Sequence, residues 1–283
     1  AVRTNLPSNT AFRGFGGPQG NMTIEVAIEQ ISKKLNIDSV DIRKLNCYGK
    51  QDRNITPYGQ VIDHNPLPGL FTNLMKDCEY INRREEINTF NSTSKTKLRG
   101  LSLTATKFGI AFTARFLNQG NALVNVHMDG TIQVSTGATE MGQGVNTKIS
   151  QVVAHAFGIE AKEVKVMTTS TEKNHNTSPT AASSGSDINC AAALKASNKI
   201  AESLKIVSCR YFTGEEFDDL HEYVLDHTLD TNSIYFKDGK VCCEKTKKQE
   251  TFAKICQVAY FNRVSLGEYA FFKTENIGFD KKK

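Results

Sequence analysis

The chain has 283 residues, of which 39% are hydrophobic and 23% charged, a composition typical of a globular protein with a sizeable core. No apolar run approaches the roughly 18–20 residues that span a bilayer, and the net charge of +5, inflated by three terminal lysines, does not by itself indicate nucleic-acid binding. Seven cysteines without a Cys-x-x-Cys pair give no zinc or iron–sulfur signature and are typical of free thiols in a reducing compartment. We therefore expect a cytoplasmic protein, and from the hydropathy and charge we expect neither membrane nor nucleic-acid partners.

The first informative stretch is a glycine-rich segment, residues 9–20. Four glycines and one proline fall within Gly14–Gly20, which predicts irregular structure. Arg13 and Phe15 lie in the same segment, and a loop that presents a guanidinium and an aromatic ring suits a planar, polar ligand. The alternative is that Phe12 and Phe15 fill a core.

Helical patterns follow as far as residue 91. Apolar residues at helical spacing predict an amphipathic helix over Thr23–Leu35, and Asp38 is predicted to cap a short second helix. Residues 49–66 are polar and rich in turn formers, which indicates a boundary between two substructures. Residues 67–91 read as helical, with interruptions.

The pattern changes from helix to strand at Leu98. Alternation over residues 98–135 predicts an antiparallel sheet of at least three strands, with a hairpin turn at Asp129-Gly130. Phe112 and Thr113 are expected at a strand end, where ligand contacts often collect. The alternative for Phe112 is a core position.

The central feature of the sequence is the loop Thr136–Gly144, which lies between a strand pattern and a helix pattern over residues 146–157. Its three glycines allow a ligand or another backbone to approach closely. The free N–H groups at the start of the following helix favour an anionic or electron-rich ligand. The alternative is an ordinary strand-to-helix connection.

A second loop of small residues, Thr177–Asp187, precedes an alanine-rich helix over residues 188–206. Most of its residues from Ser178 onward are small or hydroxylated, which permits close approach and supplies many donors. The alternative is a solvated linker. Beyond it, a hairpin is predicted around Asp238-Gly239 and a last helix over Thr251–Phe261. These patterns together predict an α+β fold with mixed and antiparallel sheets and packed helices.

These loops closely resemble the molybdenum-binding part of the xanthine dehydrogenase/aldehyde oxidase family. The resemblance rests on the Arg-Gly-Phe-Gly-Gly-Pro-Gln run at Arg13, the Lys107–Thr113 segment, the Met-Gly-Gln-Gly run at Met141 and the Thr177–Asp187 loop. It continues along nearly the whole chain to Leu266. The first run is more similar to xanthine dehydrogenases than to aldehyde oxidases, and the chain as a whole resembles the bacterial type.

The resemblance implies a molybdenum-cofactor-binding fold and a set of site residues. Residues 1–51 would end a first molybdopterin-binding domain, and residues 52–283 would form an incomplete second one. The implied cofactor contacts are Arg13, Met141, Gly142, Gln143, Ala182, Ser183 and Gly185. The implied substrate contacts are Phe15 and Phe112, whose rings would sandwich a purine, together with Thr113, Ala181 and Ala182. Gly185 stands where the family usually has serine, so a bond there would come from the backbone, Ser184 or Ser186.

The resemblance also implies a chemistry, the oxidation of hypoxanthine and xanthine to urate by hydroxylation of an sp² carbon. Molybdenum would be held by the pterin dithiolene, with no direct side-chain ligand. FAD and 2Fe–2S clusters would lie in another domain or subunit, and the holoenzyme would be a dimer.

The family's general base lies in a Gly-Glu-Pro motif that this sequence lacks, and its polar purine clamp is also missing. We therefore expect a central fragment of the molybdenum subunit, with no catalytic residue of its own and no activity alone. One alternative is an aldehyde oxidase or N-heterocycle hydroxylase of the same family. The other is a non-catalytic cofactor-binding scaffold.

Overall fold

The computed structural model describes residues 5–6, 12–174, 176–214 and 231–278 of the chain. These residues form two compact units, the first reaching Gly109 and the second beginning at Ile110. The first unit is helical, whereas the second combines helices with two β-sheets. The predicted α+β class, with its mixed and antiparallel sheets, is confirmed. The domain boundary between residues 51 and 52 stays a prediction, because a compact unit and a family domain need not share their limits.

The helices of the first unit follow the sequence patterns, except at the start of the first helix. Their bounds are Gly17–Leu35 (α1), Ser39–Asn46 (α2), Leu67–Asp77 (α3) and Tyr80–Thr93 (α4). The predicted cap of α2 is confirmed, since the Asp38 carboxylate accepts a 2.9 Å hydrogen bond from the backbone N–H of Val40. The expected interruption between residues 67 and 91 falls at Cys78-Glu79, where Glu79 takes a φ of 49°.

Helix α1 begins at Gly17 and not at Thr23, so the prediction of irregular structure throughout Gly14–Gly20 is wrong for its second half. Proline is favourable in the first turn of a helix, because the N–H group that it lacks would have no helical partner there. Gly16 precedes the helix with a φ of 87°, a left-handed conformation that glycine adopts at little cost.

A partly buried ion cluster joins α1 to α2. The guanidinium of Arg43, whose side chain is 4% exposed, lies 2.5 Å from Glu25 and 2.8 Å from Glu29, and it donates to the Ser39 hydroxyl at 2.8 Å. Burial alone would lower the pKa of Arg43, but its hydrogen bonds to the two glutamates outweigh burial and raise it. The hydrogen bond from Arg43 is also the main cause that lowers the pKa of Glu29.

Replacing Arg43 with methionine is expected to destabilise the α1–α2 pair by about 1–3 kcal/mol, less than for a fully buried ion pair because both glutamates are partly exposed. Since the pKa of Glu29 is lowered, its stabilising contribution is present above the ordinary glutamate pKa of 4.5 and is lost as the pH falls through the lower folded value. Hydrogen exchange of α1 and α2 peptides in the intact protein, near neutral pH and in acid, measures both effects. Lys34→Met, at an exposed position of α1, is the control, and unchanged exchange in Arg43→Met would contradict the prediction.

Residues 98–118 contain no strand, which corrects the prediction of at least three strands within residues 98–135. Side chains of α4 take up backbone groups of this segment instead. The Asn91 carboxamide accepts a 2.8 Å hydrogen bond from the N–H of Arg99 and donates one of 2.9 Å to its carbonyl oxygen. These bonds tie the start of the segment to a helix, and it has no sheet partner within the described ranges.

Among the described residues, the second unit contains all the strands and three α-helices. The strands are Gln119–Val126 (β1), Ile132–Thr136 (β2), Val164–Val166 (β3), Ile234–Lys237 (β4), Lys240–Cys243 (β5), Gln249–Thr251 (β6) and Gly267–Lys273 (β7). The helices are Val145–Phe157 (α5), Gly185–Thr213 (α6) and Phe252–Phe261 (α7). The predicted hairpins at Asp129-Gly130 and Asp238-Gly239 are confirmed as the β1–β2 and β4–β5 connections.

The main sheet has the strand order β3-β2-β1-β7. Strand β1 runs antiparallel to β2 and β7, and β2 runs parallel to β3. The third antiparallel strand is therefore β7, far along the chain, and does not come from the segment before β1. A second sheet, β4-β5-β6, is antiparallel throughout.

Helices α5 and α6 pack on one face of the main sheet and form its core. Alternate residues of β1 face these helices, and the alanines of α6 let the helices approach closely. The fully buried positions include Ala122, Val124, Val134, Ile149, Val153, Ala193 and Ile200, each 0% exposed. Within the described ranges, every helix is too short or too polar to cross a membrane.

One edge of the main sheet carries the loops that the sequence singled out. Because β1 and β2 are antiparallel, the start of β1 at Gln119 and the end of β2 at Thr136 lie at the same edge. The loop after β2 leads into α5, and the Thr177–Ser184 loop leads into α6. The two helices therefore begin side by side, with Lys148 Nζ 3.3 Å from Ser186 Oγ.

Candidate cofactor and substrate site

The Thr136–Gly144 loop is closed by the side chain of Glu140, its single carboxylate. Oε1 of Glu140 accepts hydrogen bonds from the N–H groups of Gly142 (2.8 Å) and Gly144 (3.0 Å), and Oε2 accepts one from Asn146 (3.1 Å). These bonds, led by the one from Asn146, hold the pKa of Glu140 below its ordinary value. We expected the N–H groups at the start of α5 to be free for a ligand. That expectation is wrong for the N–H groups of Gly144 and Asn146, which donate to Glu140.

Gln143 is held within the same loop. Its Oε1 accepts a 2.5 Å hydrogen bond from the N–H of Met141, and its Nε2 donates to the carbonyl oxygen of Thr139 at 2.8 Å. Gly142 and Gly144 take φ values of 88° and 77°, which glycine adopts readily. The space beside both glycines is open, and Met141 is 56% exposed. The loop is therefore fixed internally while its outer side stays accessible to a ligand.

The second loop turns sharply at Ala182 and Ser183, which take φ values of 51° and 57°. Backbone N–H groups in such turns can converge into a concave anion-binding surface. Ser183 and Ala181 are exposed, and Ala182 is half-buried. The three implied contacts are therefore accessible, and their roles stay predictions.

The serines beside Gly185 differ in what they can offer a ligand. The buried Ser184 donates its hydroxyl to the carbonyl oxygen of Ala181 at 3.0 Å, so this group is already committed to the loop. Ser186, beside Lys148, is half-buried. A Cβ atom at Gly185 would lie 3.2 Å from Cγ2 of Thr180, so a serine at Gly185 would require Thr180 to move by a few tenths of an ångström.

Hydrogen bonds join the loops at this edge of the sheet. The N–H of Thr139, in the first loop, donates to Oγ1 of Thr180, in the second, at 2.9 Å. The N–H of Ala111 donates to the carbonyl oxygen of Ala182 at 3.0 Å, which brings in the turn that precedes β1. Implied cofactor contacts and implied substrate contacts from three distant parts of the sequence therefore lie together.

Phe112 lies half-buried in the turn before β1, and Thr113 beside it is exposed. The alternative of a core position for Phe112 is therefore wrong, because its side chain is only half-buried. The side chain of Asn118 holds the turn, accepting a 2.7 Å hydrogen bond from the N–H of Phe112 and donating one of 2.9 Å to its carbonyl oxygen. Phe112 is thus displayed from a turn with a fixed backbone.

Arg13 and Phe15 belong to the first unit. Phe15 is 79% exposed and takes a φ of 48°, and Phe12 is 83% exposed. The alternative in which these two phenylalanines fill a core is therefore wrong. Arg13 is exposed as well. The sandwich of a purine between Phe15 and Phe112 stays a prediction, because the two residues belong to different units.

Sequence reasoning missed two residues that organise the site. Glu140 lies within the predicted Thr136–Gly144 loop but had no predicted role, and Asn118 had none either. Glutamate is not a favoured N-cap residue, and Glu140 lies well before Gly144, which caps α5, so a standard capping signal does not identify it. Asn118 offered no signal either, because its bonds depend on how the turn folds. Among the described residues, no group of three or more His, Cys, Asp or Glu side chains could hold a metal ion.

Comparison with known protein families decides what these loops belong to. Family models described as molybdopterin cofactor-binding domains match residues 1–47 and 73–283. The chain belongs to the molybdopterin cofactor-binding domain family. The expected recognition of a molybdenum-cofactor-binding chain is thereby confirmed.

Individual relatives of this molybdopterin-binding chain are xanthine dehydrogenases. The xanthine dehydrogenase of Dictyostelium discoideum is 38% identical over 277 residues, and xanthine dehydrogenase 1 of Arabidopsis thaliana is 37% identical over the same length. Each alignment covers 98% of this chain but only 18% of the relative, so the chain spans about a fifth of these proteins. Both relatives are eukaryotic, and the bacterial type stays a prediction.

Solved structures confirm the fold of the molybdopterin-binding chain. Quinoline 2-oxidoreductase from Pseudomonas putida 86 superposes with a TM-score of 0.71 at 20% identity, covering 94% of this chain and 34% of that one. A Cu,Mo-CO dehydrogenase superposes with a TM-score of 0.64 at 18% identity, with the same coverage. At these identities the likeness establishes the shared fold and not a shared substrate.

Proposed function

We propose that this chain is the molybdopterin-binding portion of a molybdenum hydroxylase that oxidises purines. The observation that carries the proposal is the convergence of three separate loops at one sheet edge, joined by the Thr139–Thr180 and Ala111–Ala182 hydrogen bonds. Each loop brings residues that the family resemblance assigns to cofactor or substrate. The strand topology brings the loops to the same edge, and the two hydrogen bonds hold them against one another.

The donors and open space at this edge suit a polar, anionic cofactor such as molybdopterin. Gly142 and Gly144 leave room beside the first loop, and the exposed Ser183 offers a hydroxyl group in a left-handed turn. Lys148 adds a positive charge between the starts of α5 and α6. Met141, Gln143, Ala182, Ser183 and Gly185 would hold the cofactor, with Arg13 from the first unit. When bound, the cofactor supplies the oxidising centre.

Phe112, Thr113, Ala181 and Ala182 would line the substrate side. A half-buried aromatic ring on a fixed turn offers a flat apolar surface to a planar ring, and Thr113 offers a hydroxyl group to its polar edge. Phe15 would cover the opposite side of the purine. Hypoxanthine and xanthine as substrates rest on the family resemblance of the run that starts at Arg13, and the names of the two relatives described above favour xanthine.

The partners belong to the same proposal. FAD and 2Fe–2S clusters in another domain or subunit would accept the electrons, in a dimeric cytoplasmic holoenzyme. The general base and the polar purine clamp would come from residues outside this chain.

The test separates the cofactor role from the substrate role in the intact protein. Phe112→Ala should raise the KM for xanthine about 5- to 10-fold, since an aromatic contact contributes on the order of 1 kcal/mol. Its molybdenum content should stay unchanged. Gln143→Ala should lower the molybdenum content itself, because it loses the amide and both internal bonds of the loop. Elemental analysis and steady-state kinetics give both quantities.

Phe261→Ala, at a 68% exposed position at the end of α7, is the matched control and should change neither quantity. Molybdenum loss in Phe112→Ala but not in Gln143→Ala would show that the two roles are reversed. Intact wild-type protein without molybdenum would favour the scaffold alternative. Turnover of aldehydes or N-heterocycles, and not of xanthine, would favour the sister enzymes.

A further inference from the structure

Asn118 lies at the base of the turn that carries Phe112. It is 1% exposed and immediately precedes β1. Its backbone carbonyl oxygen accepts a 3.0 Å hydrogen bond from the N–H of Thr274, just after β7. The residue is therefore anchored to two strands of the main sheet, and its side chain projects from a rigid base.

The carboxamide of Asn118 pairs with both backbone groups of Phe112. Oδ1 accepts from the N–H at 2.7 Å, and Nδ2 donates to the carbonyl oxygen at 2.9 Å. Only this orientation of the amide satisfies both groups, because the N–H needs an acceptor and the carbonyl needs a donor. The pairing fixes the peptide groups on both sides of the Phe112 Cα, and with them the direction in which the ring leaves the backbone.

The residue before Phe112 shows why the turn needs such a clamp. Ala111 takes a φ of 82°, a left-handed conformation that alanine rarely adopts. Its N–H is held by the carbonyl oxygen of Ala182, and the next N–H along the chain is held by Asn118. Bonds on both sides thus maintain a backbone conformation that would otherwise relax.

We propose that Asn118 is a positioning residue for the substrate. It fixes the backbone of Phe112 so that the aromatic ring meets the substrate at a set angle, and it does not touch the substrate itself. This inference rests on the proposed function, in which Phe112 packs against the purine. It adds to that function a buried residue, Asn118, that affects substrate binding only by orienting the ring of Phe112.

The test is a double-mutant cycle in the intact protein. Asn118→Asp keeps an acceptor for the N–H of Phe112 but loses the donor, and it places a carboxylate oxygen against the carbonyl oxygens of Phe112, Ala114 and Arg115. Asn118→Ala removes both bonds without burying a charge, and it carries the same test if the aspartate variant fails to fold. Each variant is made alone and together with Phe112→Ala.

Either Asn118 variant alone should raise the KM for xanthine and the Kd for urate, the latter measured by calorimetry without turnover, by about 5- to 10-fold. Molybdenum content should stay unchanged. In the Phe112→Ala background, the same substitutions should have no further effect, because the ring through which they act is gone. Asn121→Ala, at a 0% exposed position of β1 whose side chain has no hydrogen-bond partner among the described residues, is the matched control for Asn118→Ala and should leave both constants unchanged, because it buries no charge and removes no hydrogen bond.

Equal effects of the Asn118 variants with and without the Phe112 ring would overturn the inference, as would loss of molybdenum in Asn118→Ala. If Phe112→Ala weakens urate binding but the Asn118 variants do not, the inference fails and the proposed function stands. If Phe112→Ala itself leaves urate binding unchanged, the substrate role in the proposed function fails.

Discussion

Phe157→Ala is expected to lower the free energy of unfolding of the second unit by about 3–5 kcal/mol, the range for removing a buried phenylalanine. Phe157 ends α5 and is 0% exposed. Its ring centroid lies 6.2 Å from that of Phe236 in β4 and 5.5 Å from that of Phe252 in α7. The ring therefore joins the helix that follows the Thr136–Gly144 loop to the second sheet and to α7, and its loss leaves a cavity among all three.

Hydrogen exchange of peptides from α5, β4 and α7 in the intact protein measures this effect. All three elements should exchange faster in Phe157→Ala, because they share the same cavity. Phe116→Ala, at a 71% exposed position in the turn before β1, is the control. It should change the free energy of opening that exchange reports for these peptides by less than about 0.5 kcal/mol. Faster exchange confined to α5 would contradict the cooperative core that the three rings indicate.

Much of the fold could be predicted from the sequence because its signals are local. Asp38 caps α2 and Gly158 ends α5 through bonds formed with residues a few positions away. The Asp129-Gly130 and Asp238-Gly239 turns likewise need only their own neighbours. At these places the residue types that a turn or a cap requires are visible in a short window, and the structure has what they predict.

The parts that could not be predicted depend on partners far along the chain. Alternation after Leu98 resembled a strand, yet a strand forms only where another strand offers its backbone groups. The side-chain carboxamide of Asn91, in a helix, pairs with the backbone of Arg99 instead, and β7 lies beside β1 in the sheet. Asn118 could not be predicted for the same reason, because its hydrogen bonds to the backbone of Phe112 form only when the turn before β1 has folded. The site motifs were visible as long runs, whereas their convergence needed the structure.

The close contact between Gly137 and Thr177 leads to the second large effect, Gly137→Ala. Gly137 follows β2 at the start of the first site loop. A Cβ atom there would lie 2.5 Å from Cγ2 and 2.6 Å from Cβ of Thr177, in the second loop, distances at which something must move. The backbone at Gly137 does not have a positive φ, so alanine is excluded by the neighbour and not by the conformation of the chain.

Gly137→Ala should therefore separate the two loops that would hold molybdopterin, and we expect the molybdenum content of the intact protein to fall at least about fivefold. Overpacking of this kind typically costs about 1–3 kcal/mol, and each 1.4 kcal/mol is a factor of ten in affinity. The double variant Gly137→Ala/Thr177→Gly removes the opposing Cβ atom and should restore most of the molybdenum. The double variant Gly137→Ala/Thr177→Ala keeps that Cβ atom and should not restore it. Gly69→Ala, at an open position of α3, is the control and should leave the content unchanged. If the Gly137→Ala/Thr177→Gly variant held no more molybdenum than Gly137→Ala alone, the contact between the loops would not be what the cofactor requires.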